Sequence, residues 1–343
     1  MWYFLPLMIK QFTLFFSSLA LLACASAETL TVYSYRHYES DVALFEQFTA
    51  KTGIEVEVVK SKAGALLERL KAEGEQTPAD IFMTSDAGRL HEARVAGVLQ
   101  PLQSPELEAR IPENLRDSDG YWFGFTQRAR VIVYAPDRVK PAELSTYEAL
   151  AGKDWRGRLV VRSSSNIYNQ SLLASMIDTD GKDAAIQWAS AVRKNMARPP
   201  QGSDRDQMRA VAAGLADIAV VNTYYLGLLA NSDEPKDRKV AAQLKVFFPN
   251  QDGRGTHVNV SGAGIVAGSD NVAAAQKFLE FLASDEAQSV FPGATYEYPV
   301  VSTVEWSGIQ KSWGVFKADT INLKRLGELN AEAIRCFNLA NWE

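Results

Sequence analysis

The chain has 343 residues, 47% of them hydrophobic and 22% charged, with a formal net charge of −5 at pH 7. The two charge signs are interspersed, and this mild acidity argues against nucleic acid as the main partner, which would favour a basic surface. Beyond the opening segment no stretch is long and apolar enough to cross a bilayer.

Residues 1–27 are hydrophobic, carry Lys10 as their only charge and close on Ala23-Cys24-Ala25-Ser26-Ala27. An apolar core followed by small residues at Ala25 and Ala27 reads as a cleavable export signal, more regular if translation starts at Met8 so that Lys10 precedes the core. An uncleaved anchor is the alternative, although the run is short for a span; lipidation at Cys24 is a second. After cleavage Cys336 is the remaining cysteine, so no intrachain disulfide forms, and its helical surroundings mark it as a packing residue. The mature chain, about 316 residues, is long enough for a core divided into two lobes.

Strand and helix then alternate. Residues 30–34 read as a strand, and 41–52 as a helix with Val42, Phe45 and Phe48 on one face, closed by Gly53. A half-buried strand is expected at 54–59, a helix at 63–74, a buried strand at 79–83 and a helix at 87–96 before Gly97. This order predicts an α/β fold, an open and largely parallel sheet with helices on both faces. Residues 124–134 form one strand signal too long for a small sheet and long enough to cross between two. Further strands are expected at 159–161, 218–221, 246–248 and 261–267, with helices at 168–177, 182–194, 206–213, 224–230 and 271–283. No Pro/Gly-rich linker divides the chain, which suits two lobes joined by crossing strands.

Three aromatic clusters fall where apolar stretches end: Tyr35-Arg36-His37-Tyr38, Asn166-Ile167-Tyr168-Asn169 and Asn222-Thr223-Tyr224-Tyr225. A fold that gathers strand ends places four phenols and one imidazole around a single point. Such a set suits a hard, highly charged cation such as ferric iron, because phenolate is a hard anionic donor.

From Leu30-Thr31-Val32-Tyr33-Ser34-Tyr35-Arg36-His37-Tyr38 to Asn341-Trp342-Glu343, the chain resembles the periplasmic ferric-iron-binding proteins of ABC importers. Pro78 to Asp86, Gln127-Arg128-Ala129-Arg130-Val131 and Asn259 to Gly264 also match. It is most similar to the tyrosine-rich branch that needs no added anion. The resemblance implies a two-lobed periplasmic-binding-protein fold of type II, with the metal site in the interlobe cleft. It implies ligands at His37 and Tyr38 from the first lobe, and at Tyr168, Tyr224 and Tyr225 from the second. It also implies Fe3+ as the cargo, an inner-membrane ABC permease as partner, a monomer and a periplasmic location. The expected division is 28–128 with 256–302 for the N-terminal lobe, and 129–255 with 303–343 for the C-terminal lobe.

A free tyrosine titrates near 10, so ionising one at pH 7 costs about 4 kcal/mol and four about four times that. A multivalent cation offsets such a cost, so binding should release protons and weaken in acid. Four phenolates and a neutral His37 leave Fe3+ with one excess negative charge. Arg36, Arg128, Arg130 and Arg205 are the candidates to balance it, with Arg128 and Arg130 favoured because they lie on the crossing strand. Tyr33 and Tyr35 are expected to pack or line the cleft, His91 to be solvated and His257 to sit in a loop. The rival reading is a receptor for a small organic or oxyanion solute, with aromatics stacking and arginines holding an anion. An enzyme is disfavoured, since no Gly-x-Ser-x-Gly, Cys/His pair or His-Glu-x-x-His is present.

Overall fold

The computed structural model describes residues 28–36 and 38–342. The export-signal segment and His37 therefore lie outside the described residues.

The first third alternates as the hydrophobic pattern dictates. Strand β1 (Thr29–Ser34) leads to helix α1 (Glu39–Thr52), β2 (Glu55–Lys60), α2 (Ala63–Glu73), β3 (Ile81–Ser85) and α3 (Ala87–Val95). A short β4 (Leu99–Gln100) and helix α4 (Pro105–Arg110) precede the long β5 (Phe123–Tyr134). Next come β6 (Leu159–Val160), α5 (Ile167–Asp180), α6 (Lys182–Asn195), α7 (Asp204–Ala212), β7 (Ile218–Asn222), α8 (Thr223–Ala230) and α9 (Pro235–Ala242). The chain continues through β8 (Lys245–Phe247), β9 (Val258–Val266), α10 (Val272–Leu282) and β10 (Tyr298–Pro299). Helices at Lys324–Glu328 and Asn330–Leu339 close it.

Seven strands run in the order β2-β1-β3-β9-β5-β7-β6, with β4, β8 and β10 attached at the sides. The sheet is mixed rather than largely parallel. The pairs β1–β2, β1–β3 and β6–β7 are parallel, whereas β3–β9, β9–β5 and β5–β7 are antiparallel. The two outer portions are built by helical crossovers, which keep neighbours parallel. The two long central strands run back between them.

The expected crossing strand is β5. From Phe123 to Ala129 it pairs with β9, and from Arg130 to Tyr134 with β7. Tyr147, fully buried, stitches this crossover: its hydroxyl donates to the Arg130 carbonyl and accepts from the His257 backbone N–H. Close approach of β9 to the preceding chain requires glycine at Gly264, where a Cβ would lie 2.3 Å from the Tyr121 carbonyl oxygen.

The α1 face differs by one position from expectation. Leu44, Phe45 and Phe48 are buried, while Val42 is 44% exposed. Asp41 takes the inward position because both its oxygens accept from Arg36, at 3.1 Å each. That pair rotates the buried stripe to positions 41, 44, 45 and 48, still one helical face. Phe45 and Phe48 then pack on Phe278 of α10, with centroids 5.3 and 5.2 Å away. On the other side Trp188 of α6 meets Trp342 at 5.9 Å, and Cys336 is fully buried nearby in the last helix.

Candidate metal centre

Each tyrosine cluster opens a helix. Tyr38 is the residue before α1, Tyr168 lies in the first turn of α5, and Tyr224 and Tyr225 lie in the first turn of α8. Asn166 accepts from the Tyr168 backbone N–H at 3.0 Å and so fixes where α5 starts. A helix start carries partial positive charge, which favours an ionised phenol over a neutral one.

The four phenols meet on one cavity of about 180 Å3. The Tyr168 and Tyr224 hydroxyls are 3.4 Å apart, and the Tyr224 and Tyr225 rings lie 4.1 Å apart at 32°. Tyr35, Ser85, Arg36, Arg128, Arg205 and Glu297 share the wall. Among the described residues no group of three or more His, Cys, Asp or Glu side chains is arranged to hold a metal. Phenols are the most numerous oxygen donors described on this cavity, a hard, anionic set when ionised.

Cations surround those rings. The Arg36 guanidinium lies 4.9 Å from the Tyr38 ring centroid, Arg128 5.1 Å and Arg162 5.9 Å from that of Tyr168, and Arg205 5.7 Å from that of Tyr225. Arg130, favoured from sequence as a counter-charge, sits instead below the cavity wall. It donates to Asp204 at 2.8 Å, Asn222 at 3.2 Å and Asn169 at 2.7 Å. Its charge is met by Asp204, and it anchors Asn169, next to Tyr168, and Asn222, the residue before α8, which makes it a positioning group.

Burial disfavours ionisation of Tyr38, Tyr224 and Tyr225. Burial pushes Tyr38 well above the ordinary tyrosine value, and the Glu297 charge adds to this, against the pull of Arg36. Burial does the same to Tyr224, reinforced by Tyr168, Tyr225 and Tyr38, and to Tyr225, reinforced by Tyr168 and Asp204. These phenols oppose one another's ionisation, as expected of like charges gathered at one point. Burial also works against the Arg36 and Arg128 charges. Asp41 with Glu297 outweighs it at Arg36, and Tyr168 and Tyr224 once ionised, with Glu297 and Asp86, outweigh it at Arg128, so both stay protonated.

Three residues at this centre escaped the sequence reading: Glu297, Arg162 and Asp204. Asp204 had a weak local signal, since Ser203 and Asp206 form a capping box around it. Glu297 had none. Asp86, beside the cavity-lining Ser85, is held at φ 84° and accepts from Ser171 of α5 at 2.7 Å and from Asn259 at 3.0 Å. A non-glycine residue in that conformation persists only where its surroundings over-determine it.

Other expectations resolve simply. Tyr33 is buried and donates to Glu73 at 3.1 Å, while Tyr35 lies on the cavity. His91 is half-buried rather than solvated, because the helix Lys324–Glu328 brings Gly327 against its side chain. His257 is buried ahead of β9, and burial holds its pKa well below the usual imidazole value.

Among known proteins, the model of the bacterial extracellular solute-binding protein family matches residues 36–289. Iron uptake protein A1 of Synechocystis is 49% identical over 316 residues, covering 92% of this chain and 88% of that protein. The Trichodesmium IdiA/FutA structure in complex with iron and citrate aligns with a TM-score of 0.90 and 50% identity, over 92% of this chain and all of that one. Apo FutA2 from Synechocystis aligns with a TM-score of 0.89 and 46% identity, over 93% of this chain and all of that one. These solved structures share the present two-lobed α/β architecture, and among the described residues no helix is long and apolar enough to cross a membrane. With three quarters of its length inside the family model and a relative almost half identical over nearly all of it, the chain belongs to the bacterial extracellular solute-binding proteins.

Proposed function

We propose that this protein captures ferric iron outside the inner membrane and delivers it to an ABC permease. Tyr38, Tyr168, Tyr224 and Tyr225 are the proposed ligands, with His37 as the fifth. The observation that carries this is the meeting of four phenols, ringed by guanidinium groups, on one cavity. The iron-related names of the similar proteins support it. The role is binding and transfer rather than catalysis.

Two lobes carry the site, 28–128 with 256–302 and 129–255 with 303–343. The boundary follows β5, whose partner changes from β9 to β7 between Ala129 and Arg130. Tyr38 then belongs to one lobe and Tyr168, Tyr224 and Tyr225 to the other. Only the closed arrangement gathers all of them, so the cation biases a hinge equilibrium through its differential affinity for the closed state. The protein acts as a periplasmic monomer after removal of residues 1–27.

Burial raises the pKa of Tyr38, Tyr224 and Tyr225 in the metal-free protein, which makes proton release the test. Binding one ferric ion at pH 7 is expected to release about four protons, one from each phenol. A site that must shed protons to bind holds metal less well as pH falls, by about tenfold per pH unit for each proton shed. A pH-stat titration with ferric nitrilotriacetate, corrected for the chelator's own protons, measures this. Release of one proton or fewer per iron would contradict tyrosinate ligation.

A further inference from the structure

We propose that Glu297 is a positioning residue that sets the charge felt by the bound metal, and with it the preference for ferric over ferrous iron. The inference rests on the ferric reading above. Glu297 is 1% exposed and yet forms part of the cavity wall. One of its oxygens accepts from Arg36 Nη1 at 2.9 Å and Thr126 Oγ1 at 2.7 Å; the other accepts from Arg128 Nη1 and Ser261 Oγ, each at 3.4 Å. Arg36 lies over Tyr38 and Arg128 over Tyr168. A single carboxylate thus holds two guanidinium groups, each against a different proposed ligand.

The backbone is shaped to present it. Tyr296 adopts φ 59°, the left-handed region that a bulky residue enters only under constraint. Its ring rests on Gly227 of α8, where a Cβ would stand 2.5 Å from Tyr296 Cγ. Gly227 is one turn beyond Tyr224. The Tyr296–Glu297 pair therefore touches the helix of Tyr224 and Tyr225 on one side and the cations of Tyr38 and Tyr168 on the other.

The charge has a calculable direction. Ferric iron brings three positive charges while four phenols lose their protons, so loading leaves the centre one unit more negative. Reduction adds one electron to the iron, breaks no protein bond and makes the centre more negative by a further unit. A fixed anion nearby opposes that second step, and in a partly buried site the effect is several times stronger than in water. Arg36 is already paired with Asp41 through both its oxygens. Glu297 thus joins Asp86 in offsetting Arg128, and without it the surroundings gain one positive charge and favour the ferrous state.

The test is the midpoint potential of the iron-loaded full chain, read by mediated spectroelectrochemistry on the tyrosinate charge-transfer band. Glu297→Gln is expected to weaken the ferric preference at least tenfold, a positive shift of about 59 mV or more for this one-electron couple. Glu297→Asp, which keeps the charge, is expected to stay nearer the wild type than the glutamine variant does. If Glu297→Gln does not fold, Arg36→Gln removes the opposite charge and is expected to shift the potential negative. A loaded Glu297→Gln protein with the wild-type potential overturns the proposal, as does an aspartate variant shifted equally or an Arg36→Gln protein that does not move. Absence of the band from the wild-type protein would instead overturn the ferric reading itself, so the two failures are distinguishable.

Discussion

Replacing Tyr224 and Tyr225 together by phenylalanine is expected to abolish tight ferric binding while leaving the protein folded. Both rings keep their tilted contact at 4.1 Å, and the hydrogen bond lost between the Tyr168 and Tyr224 hydroxyls is long at 3.4 Å. Because burial keeps the Tyr224 and Tyr225 phenols neutral, no buried charge is stranded. Metal-free stability should therefore change by about 1 kcal/mol or less, the worth of one ordinary hydrogen bond. Ferric affinity is expected to fall by more than about 100-fold, since loss of even an outer partner of a metal ligand costs 10- to 100-fold. Competition against a chelator series, with thermal melts of the apo form alongside, separates the two effects. Undiminished affinity in the folded double variant removes both residues from the site.

Asp204→Ala is expected to have the largest effect on metal-free stability. Asp204 is fully buried and accepts from Arg130 at 2.8 Å, from the Asn222 backbone N–H at 3.0 Å and from Arg162 at 3.4 Å. Arg130 is itself 2% exposed and keeps only the neutral Asn169 and Asn222 oxygens once the carboxylate is gone. Removing one partner of such a pair costs about 3–5 kcal/mol, because the remaining charge stays buried without compensation. Urea unfolding of the apo protein measures this, with Asp204→Asn as the milder companion. A loss below about 1 kcal/mol, the range typical of exposed pairs, would mean that water reaches Arg130 and that Asp204 does not hold the site's base.

Local periodicity made most of the fold legible. The first strands and helices, the 3.6-residue stripes and the closing glycines Gly53 and Gly97 follow from neighbours in sequence, and both glycines adopt the positive φ their positions need. The length of the 124–134 stretch was itself the sign of a strand shared between two sheet portions. Strand direction was not legible, because it depends on where β5 and β9 return rather than on their own patterns. The misplaced Val42 shows the same limit at one helix, where an ion pair with Arg36 decided which residue turned inward.

At the centre, helix-opening aromatics could be read because each cluster is local. The geometry then brought Tyr38, Tyr168, Tyr224 and Tyr225 to one cavity. Glu297 could not be read in this way, since its partners Arg36 and Thr126 lie 261 and 171 positions away in sequence. Arg130 was read as a counter-charge because it lies on the crossing strand; only its buried pairing with Asp204 revealed a structural task.

The most direct test of the account is a visible absorption titration of the metal-free protein with chelated ferric iron. Ferric iron bound by tyrosinates gives a ligand-to-metal charge-transfer band, and the account predicts one that grows with added iron and saturates at one ion per chain. A flat spectrum from folded protein would contradict it, leaving the aromatic and arginine-lined cavity as the cleft of an organic or oxyanion solute.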